Sequence, residues 1–137
     1  MTAITVTAAS VTLKNDKTVT NGVSGEALTQ GEVCFKDTDN KWYAASAISD
    51  GDLSSKDVGI ALCPADALDE RAIIAKENQS QIDLGGTPTA GSWYVVGGAD
   101  GVIEEFSDLS AGEAVTFVGN GDGTYLWFQK ISQGDTK

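Results

Sequence analysis

The sequence predicts an all-β protein, a small β-sandwich or barrel built from repeated hairpins, with at most one short helical segment and an extended N-terminal arm. Three observations carry the prediction. Apolar residues alternate in short runs, 16 glycines punctuate 137 residues, and a turn-strand-turn-strand pattern recurs in three degenerate copies. Short runs with period-two alternation read as strands, and the Gly, Asn and Asp clusters between them read as turns.

The N-terminal stretch comes first. Ile4 and Val6 alternate with Thr5 and Thr7, and Val11, Thr12 and Leu13 follow a break of small residues, so residues 1–20 form an arm or first strand. Residues 21–137 form a single β domain. The first copy of the repeat runs from Thr29-Gln30-Gly31-Glu32-Val33-Cys34-Phe35 through Asp39-Asn40-Lys41 to Trp42-Tyr43. The second runs from Thr89-Ala90-Gly91-Ser92-Trp93-Tyr94-Val95 through Asp100-Gly101 to Val102-Ile103. The third opens at Ser110-Ala111-Gly112, where Ala114, Thr116 and Val118 alternate with Val115 and Phe117, and Asn120-Gly121-Asp122-Gly123 turns the chain into Tyr125-Leu126-Trp127-Phe128. Each copy is a hairpin unit with glycine at its opening turn. Between them, Val58-Gly59-Ile60-Ala61-Leu62, stopped by Pro64, reads as a buried strand. Pro64 to Lys76 opens on proline, with acids early and good helix formers throughout. In a chain of hairpins the expectation there is a helical turn near Ala65 to Leu68, then a strand from Arg71 to Ala75.

A mass of 14.2 kDa is enough for one domain with its own core. Nine Lys and Arg against 20 Asp and Glu give a formal charge of -11, a field that repels phosphate backbones and anionic membrane surfaces. No apolar run approaches the roughly 20 residues that span a bilayer. Neither nucleic acid nor membrane is an expected partner. The first residues lack the basic and apolar regions of a secretory signal, so folding in a cytoplasm is expected. Cys34 and Cys63 lie in apolar contexts, where buried free thiols are the expectation and a disulfide between them is possible but unforced.

The absence of histidine removes the commonest proton shuttle and metal ligand, and no cofactor or metal site is expected. Carboxylates remain the acid/base candidates. Glu104-Glu105 is the obvious pair, but neighbours on a strand point to opposite faces, and solvated charges on an exposed strand are the expectation. Asp37-Thr38-Asp39-Asn40 begins like a calcium loop, then places Lys41 at a ligand position and lacks the glycine, so it reads as a turn whose side chains bond their own backbone. The same holds for Asn120 to Gly123. The aromatics come in adjacent pairs, Trp42-Tyr43, Trp93-Tyr94 and Trp127-Phe128, so each pair puts one ring on either face. One ring is core; the other is a sugar platform, an oligomer contact or half-buried packing. The candidate contact residues are Thr2, Ile4 and Val6 of the arm with Trp42 and Trp93.

The chain resembles the capsid cement, or head decoration, proteins of tailed bacteriophages. The matching stretches are Gly25 to Val33, Asp57 to Leu62, Thr89 to Val96 and Gly112 to Val115, and the chain departs from the pattern at Pro64 to Glu77, an acidic, helix-compatible insertion. The resemblance implies a β-rich, non-enzymatic protein, often a homotrimer, on the outer face of a virion, where the major capsid protein is its partner. It also implies an N-terminal arm that adds a strand to the shell. A carbohydrate or host-surface binding module of a phage fibre is the alternative.

Overall fold

The computed structural model describes residues 4, 6–132 and 134–137. Among them the strands are β1 (Thr12–Leu13), β2 (Thr20–Ser24), β3 (Val33–Lys36), β4 (Lys41–Ala44), β5 (Val58–Ala61), β6 (Arg71–Ala75), β7 (Gln81–Asp83), β8 (Trp93–Val96), β9 (Ile103–Glu105), β10 (Phe117–Gly121) and β11 (Leu126–Ile131). Single 3-10 turns occupy Ala8–Ser10 and Phe106–Asp108. The all-β prediction holds.

The strands divide into two sheets. A closed barrel runs β2-β4-β3-β5-β6, with β2 parallel to β4 and antiparallel to β6. The other six strands lie in the order β1-β7-β11-β10-β8-β9. Along the barrel strands side chains alternate between two cores. Cys34, Trp42, Ala44, Ala61, Ala72 and Ile74 cluster together with Leu28 and Ala65. Val33, Phe35, Val58 and Ile60 point the other way and join Ile82, Leu84, Tyr94, Ile103, Leu126 and Phe128 of the six-stranded sheet. That second cluster fuses the two sheets into one body.

The described residues of the N-terminal segment bond to the six-stranded sheet at two places. Ile4 N donates to Ile103 O on β9 at 3.0 Å, and Thr7 N donates to Leu84 O just past β7 at 2.9 Å. Ile4 packs against the main core. An edge strand left open is a pairing hazard, and here the chain's own start covers part of the β9 edge. Ile4 and Thr7 of the arm or first strand are thus engaged with the domain.

The repeat is visible in the backbone. The carbonyls of Thr29, Thr89 and Ser110 accept from the amides of Glu32, Ser92 and Glu113, each at 3.2 Å. Gly31, Gly91 and Gly112 take φ of 86, 81 and 88°, a region that glycine enters without steric cost. The first two copies make the hairpins β3–β4 and β8–β9. The third is displaced: β10 begins at Phe117, and Asn120 and Gly121 remain paired with Trp127 and Leu126, so the reversal falls after them. The C-terminal tail pairs with the residues before β10. Ala114 bridges Thr136, and Val115 N donates to Asp135 O at 2.9 Å.

The Pro64 to Lys76 segment corrects one expectation. The strand is β6, as predicted, but no helical turn precedes it. Ala65 instead forms a bridge with Leu28, with N–H···O bonds of 2.7 and 2.9 Å in both directions. Two cross-chain bonds and a fully buried Ala65 outweigh the local helix preference.

Candidate docking surface

Strand alternation splits every aromatic pair as expected. On β8, Tyr94 is buried and its hydroxyl accepts from Thr89 N at 2.8 Å, while Trp93 stays 41% exposed. On β11, Phe128 is core, and the half-buried Trp127 donates its indole N–H to Asp122 at 2.8 Å. On β4 the split runs against the proposed contact role. Trp42 is 1% exposed and fills the barrel, whereas its neighbour Tyr43 lies outside it against Phe35, ring centres 6.0 Å apart. Trp42 is thus a core residue and no surface contact. Tyr43 donates to Asp39 at 2.5 Å, and that bond leads the causes that push the phenol up to about 12.

Trp93 stands at the rim of an apolar groove. Phe117 on β10 sits at its centre, opposite Ile131 on β11. The Trp93 ring meets Phe117 edge-on at 5.7 Å, and Phe106, from the turn after β9, lies tilted at 5.3 Å. Among the described residues, Trp93, Phe106, Phe117 and Ile131 line a cavity of about 210 Å³. A further cavity of about 180 Å³, lined by Val115, Phe117, Ile131 and Asp135, continues it toward the C-terminal tail. Lys137 holds Phe106 from beyond it: its ammonium lies 4.8 Å from the Phe106 ring centre and donates to the Phe106 and Ser107 carbonyls at 2.8 and 3.1 Å. Edge-on and tilted aromatic packing of this kind holds each ring in a defined pose. Against known proteins, the chain matches no family model, no curated relative and no solved structure. The reading of this surface therefore rests on its own geometry.

Of the residues singled out in the sequence, only Trp93 lies in this groove. Ile4 is half-buried on the core, and Val6, 37% exposed, leans over Gly31. Both border a separate cavity of about 360 Å³ whose other walls include Glu32, Asp100 and Ile103. Thr2 lies outside the described residues. Sequence reasoning missed Phe106, Phe117 and Ile131. Phe117 was legible in principle, since its neighbour Val118 is fully buried and alternation then sends Phe117 to the other face. Phe106 and Ile131 reach the groove through tertiary folding, which no local pattern encodes.

The carboxylates behave in three ways. Asp37, Asp39 and Asp122 accept from the backbone of their own turns, at 2.8, 3.0 and 2.8 Å for the Thr38, Lys41 and Thr124 amides, which matches the reading of those loops as self-bonded turns. Among the described residues no group of three or more His, Cys, Asp or Glu is placed to hold a metal ion. Glu26 and Asp50 are pushed above the usual carboxylate range, first by burial and then by neighbouring acids, Asp100 among them. Glu104 corrects the expectation of a solvated charge. It is 3% exposed, with Oε1 accepting from Gly98 N at 3.1 Å and Oε2 buried without a hydrogen-bond partner. Glu113 Oε2 is buried in the same condition, beside Gly98. Glu105, half-buried, lies on the other face of β9. Both cysteines are free thiols. Cys34 is fully buried, which pushes its thiol up, while Cys63 is only half-buried.

Proposed function

We propose that this chain is a non-catalytic binding protein that decorates the outer surface of a phage capsid, with the major capsid protein as its partner. The observation that carries the reading is the groove of Trp93, Phe106, Phe117 and Ile131, an apolar face on a strongly acidic molecule. Aromatic residues held rigidly on a sheet anchor interfaces at low entropic cost, because they have few rotamers to lose. Acidity complements the role by keeping the protein off packaged nucleic acid. Ile4 and Thr7 are bonded to the chain's own sheet, so the groove and not the arm carries the docking. A homotrimer on a three-fold site of the shell is part of the same proposal.

Co-sedimentation with expanded capsid shells tests it. The wild type pellets with shells, and Trp93→Ala weakens binding by about 30-fold, the ~2 kcal/mol of a truncated anchor. Binding that ignores Trp93→Ala and Phe117→Ala overturns the groove as the docking face; no binding at all overturns the capsid reading. The exposure of the Trp93 ring favours one second reading, a sugar-stacking platform of a host-surface module. A glycan array separates the two, since only that reading gives Trp93-dependent glycan signals.

A further inference from the structure

The chain has nine basic residues against 20 acidic ones, so a place where lysines gather is informative. Four converge where β3 ends, β5 begins and β6 ends: Lys36, Lys56, Lys76 and, from β11, Lys130. Their compensation is incomplete. One oxygen of Asp57 serves two of them, Lys76 at 3.1 Å and Lys36 at 3.8 Å, and Asp37 serves Lys56 at 3.1 Å. Lys130 forms no ion pair among the described residues. Its ammonium is fixed instead by two backbone carbonyls, Ser54 O at 3.1 Å and Lys56 O at 2.7 Å. The Asp52 carboxylate feels the Lys130 charge.

Lys56, Lys76 and Lys130, with Asp57, Val58 and Asn78, line a cavity of about 210 Å³. Its lining therefore includes three lysines and one aspartate, with Asp37 held by Lys56 at 3.1 Å. An ammonium has three N–H donors; Lys130 uses two of them on carbonyls, and Lys76 uses one on Asp57. Asn78 turns its carbonyl oxygen to the Lys130 amide at 3.2 Å, which leaves its NH2 as a further donor. The lysine stems are half-covered, with side-chain exposures of 25% for Lys56 and 35% for Lys76, so these heads are placed and not freely sweeping through solvent.

We propose that this cavity is an oxyanion site, taking a phosphate or carboxylate group among Lys56, Lys76, Lys130 and the Asn78 amide. A single small anion gains charge-assisted hydrogen bonds from all of them. A long polyanion does not fit, because the surrounding -11 field repels every charge that extends beyond the cavity. Free phosphate and an acidic side chain of a protein partner share this chemistry. The inference does not depend on the capsid reading.

The test is a titration of the isotope-labelled full chain, followed by amide NMR at constant ionic strength. One arm uses inorganic phosphate, the other a short glutamate peptide. Saturable shifts confined to residues 56–58, 76–78 and 130 are expected in at least one arm by about 50 mM ligand. Lys76→Met should weaken that binding at least about tenfold, while Lys14→Met leaves it unchanged. Tighter saturation by the peptide assigns the site to a partner's carboxylate; tighter saturation by phosphate assigns it to a free anion. Lys130→Met also frees the Ser54 to Lys56 backbone, so Lys76→Met is the deciding variant. Linear, unsaturating shifts in both arms, or saturation unaltered by Lys76→Met, overturn the proposal.

Discussion

Gly119 shows how much one residue can decide. It lies in the bulge that shifts the register between β10 and β11, at φ 147°, and a Cβ there would collide with the Trp127 carbonyl. Gly119→Ala should cost ~3 kcal/mol or more, read as a lowered denaturation midpoint with an unchanged m-value. Glu104 is the opposite case, a side chain whose burial carries a cost. Titration of the acids has two opposed parts. Glu26 and Asp50 have raised values, so their ionised forms carry a penalty that is relieved as they protonate on acidification. Asp37, Asp39, Asp52, Glu77 and Asp122 have depressed values, so their contribution is present above that range and is lost as pH falls through it. Calorimetry should show Tm rising as pH drops from 7 toward the top of the carboxylate range, then falling; a Glu26→Gln, Asp50→Asn double variant should flatten the rise. The turn glycines were legible in the sequence because a backbone geometry demands them. Glu104 was not, because its burial follows from which loops pack over β9.

At the scale of elements, the hairpins β3–β4 and β8–β9 and the strands β5 and β6 follow from alternation and turn chemistry within a dozen residues. The third hairpin slipped because its rival, the C-terminal tail, offers Ala114 and Val115 backbone partners that no local pattern announces. The contacts of the N-terminal segment were hidden from the sequence for the same reason. Its alternating residues look too few for a core, yet Ile4 joins a core assembled from distant strands. Deleting residues 1–7 removes that aliphatic and two ladder bonds, and should lower stability by ~2 to 4 kcal/mol in chemical denaturation. A truncation that left the midpoint unchanged would return the segment to the role of a loose arm.

For the molecule as a whole, the fold class was readable and the closure of the barrel was not. Closure depends on β2, which lies parallel to β4 and pairs Thr20 with Ile74, about fifty residues further along the chain. Ser24 locks this junction: its hydroxyl donates to Ala67 O at 2.8 Å and accepts from Glu70 N at 3.1 Å. The loop between these partners must close before any of the bonds forms, and loop-closure entropy delays such contacts. The seam at β2 is therefore a late event in folding and an early one in unfolding. Ser24→Ala, costing ~1 to 3 kcal/mol, should speed unfolding in a chevron measurement while leaving the refolding rate in water nearly unchanged, a φ-value near zero. Anything that spreads this barrel then finds β2 to be the strand that lets go first, so the lifetime of the native state is set at a seam far in sequence from the aromatic groove.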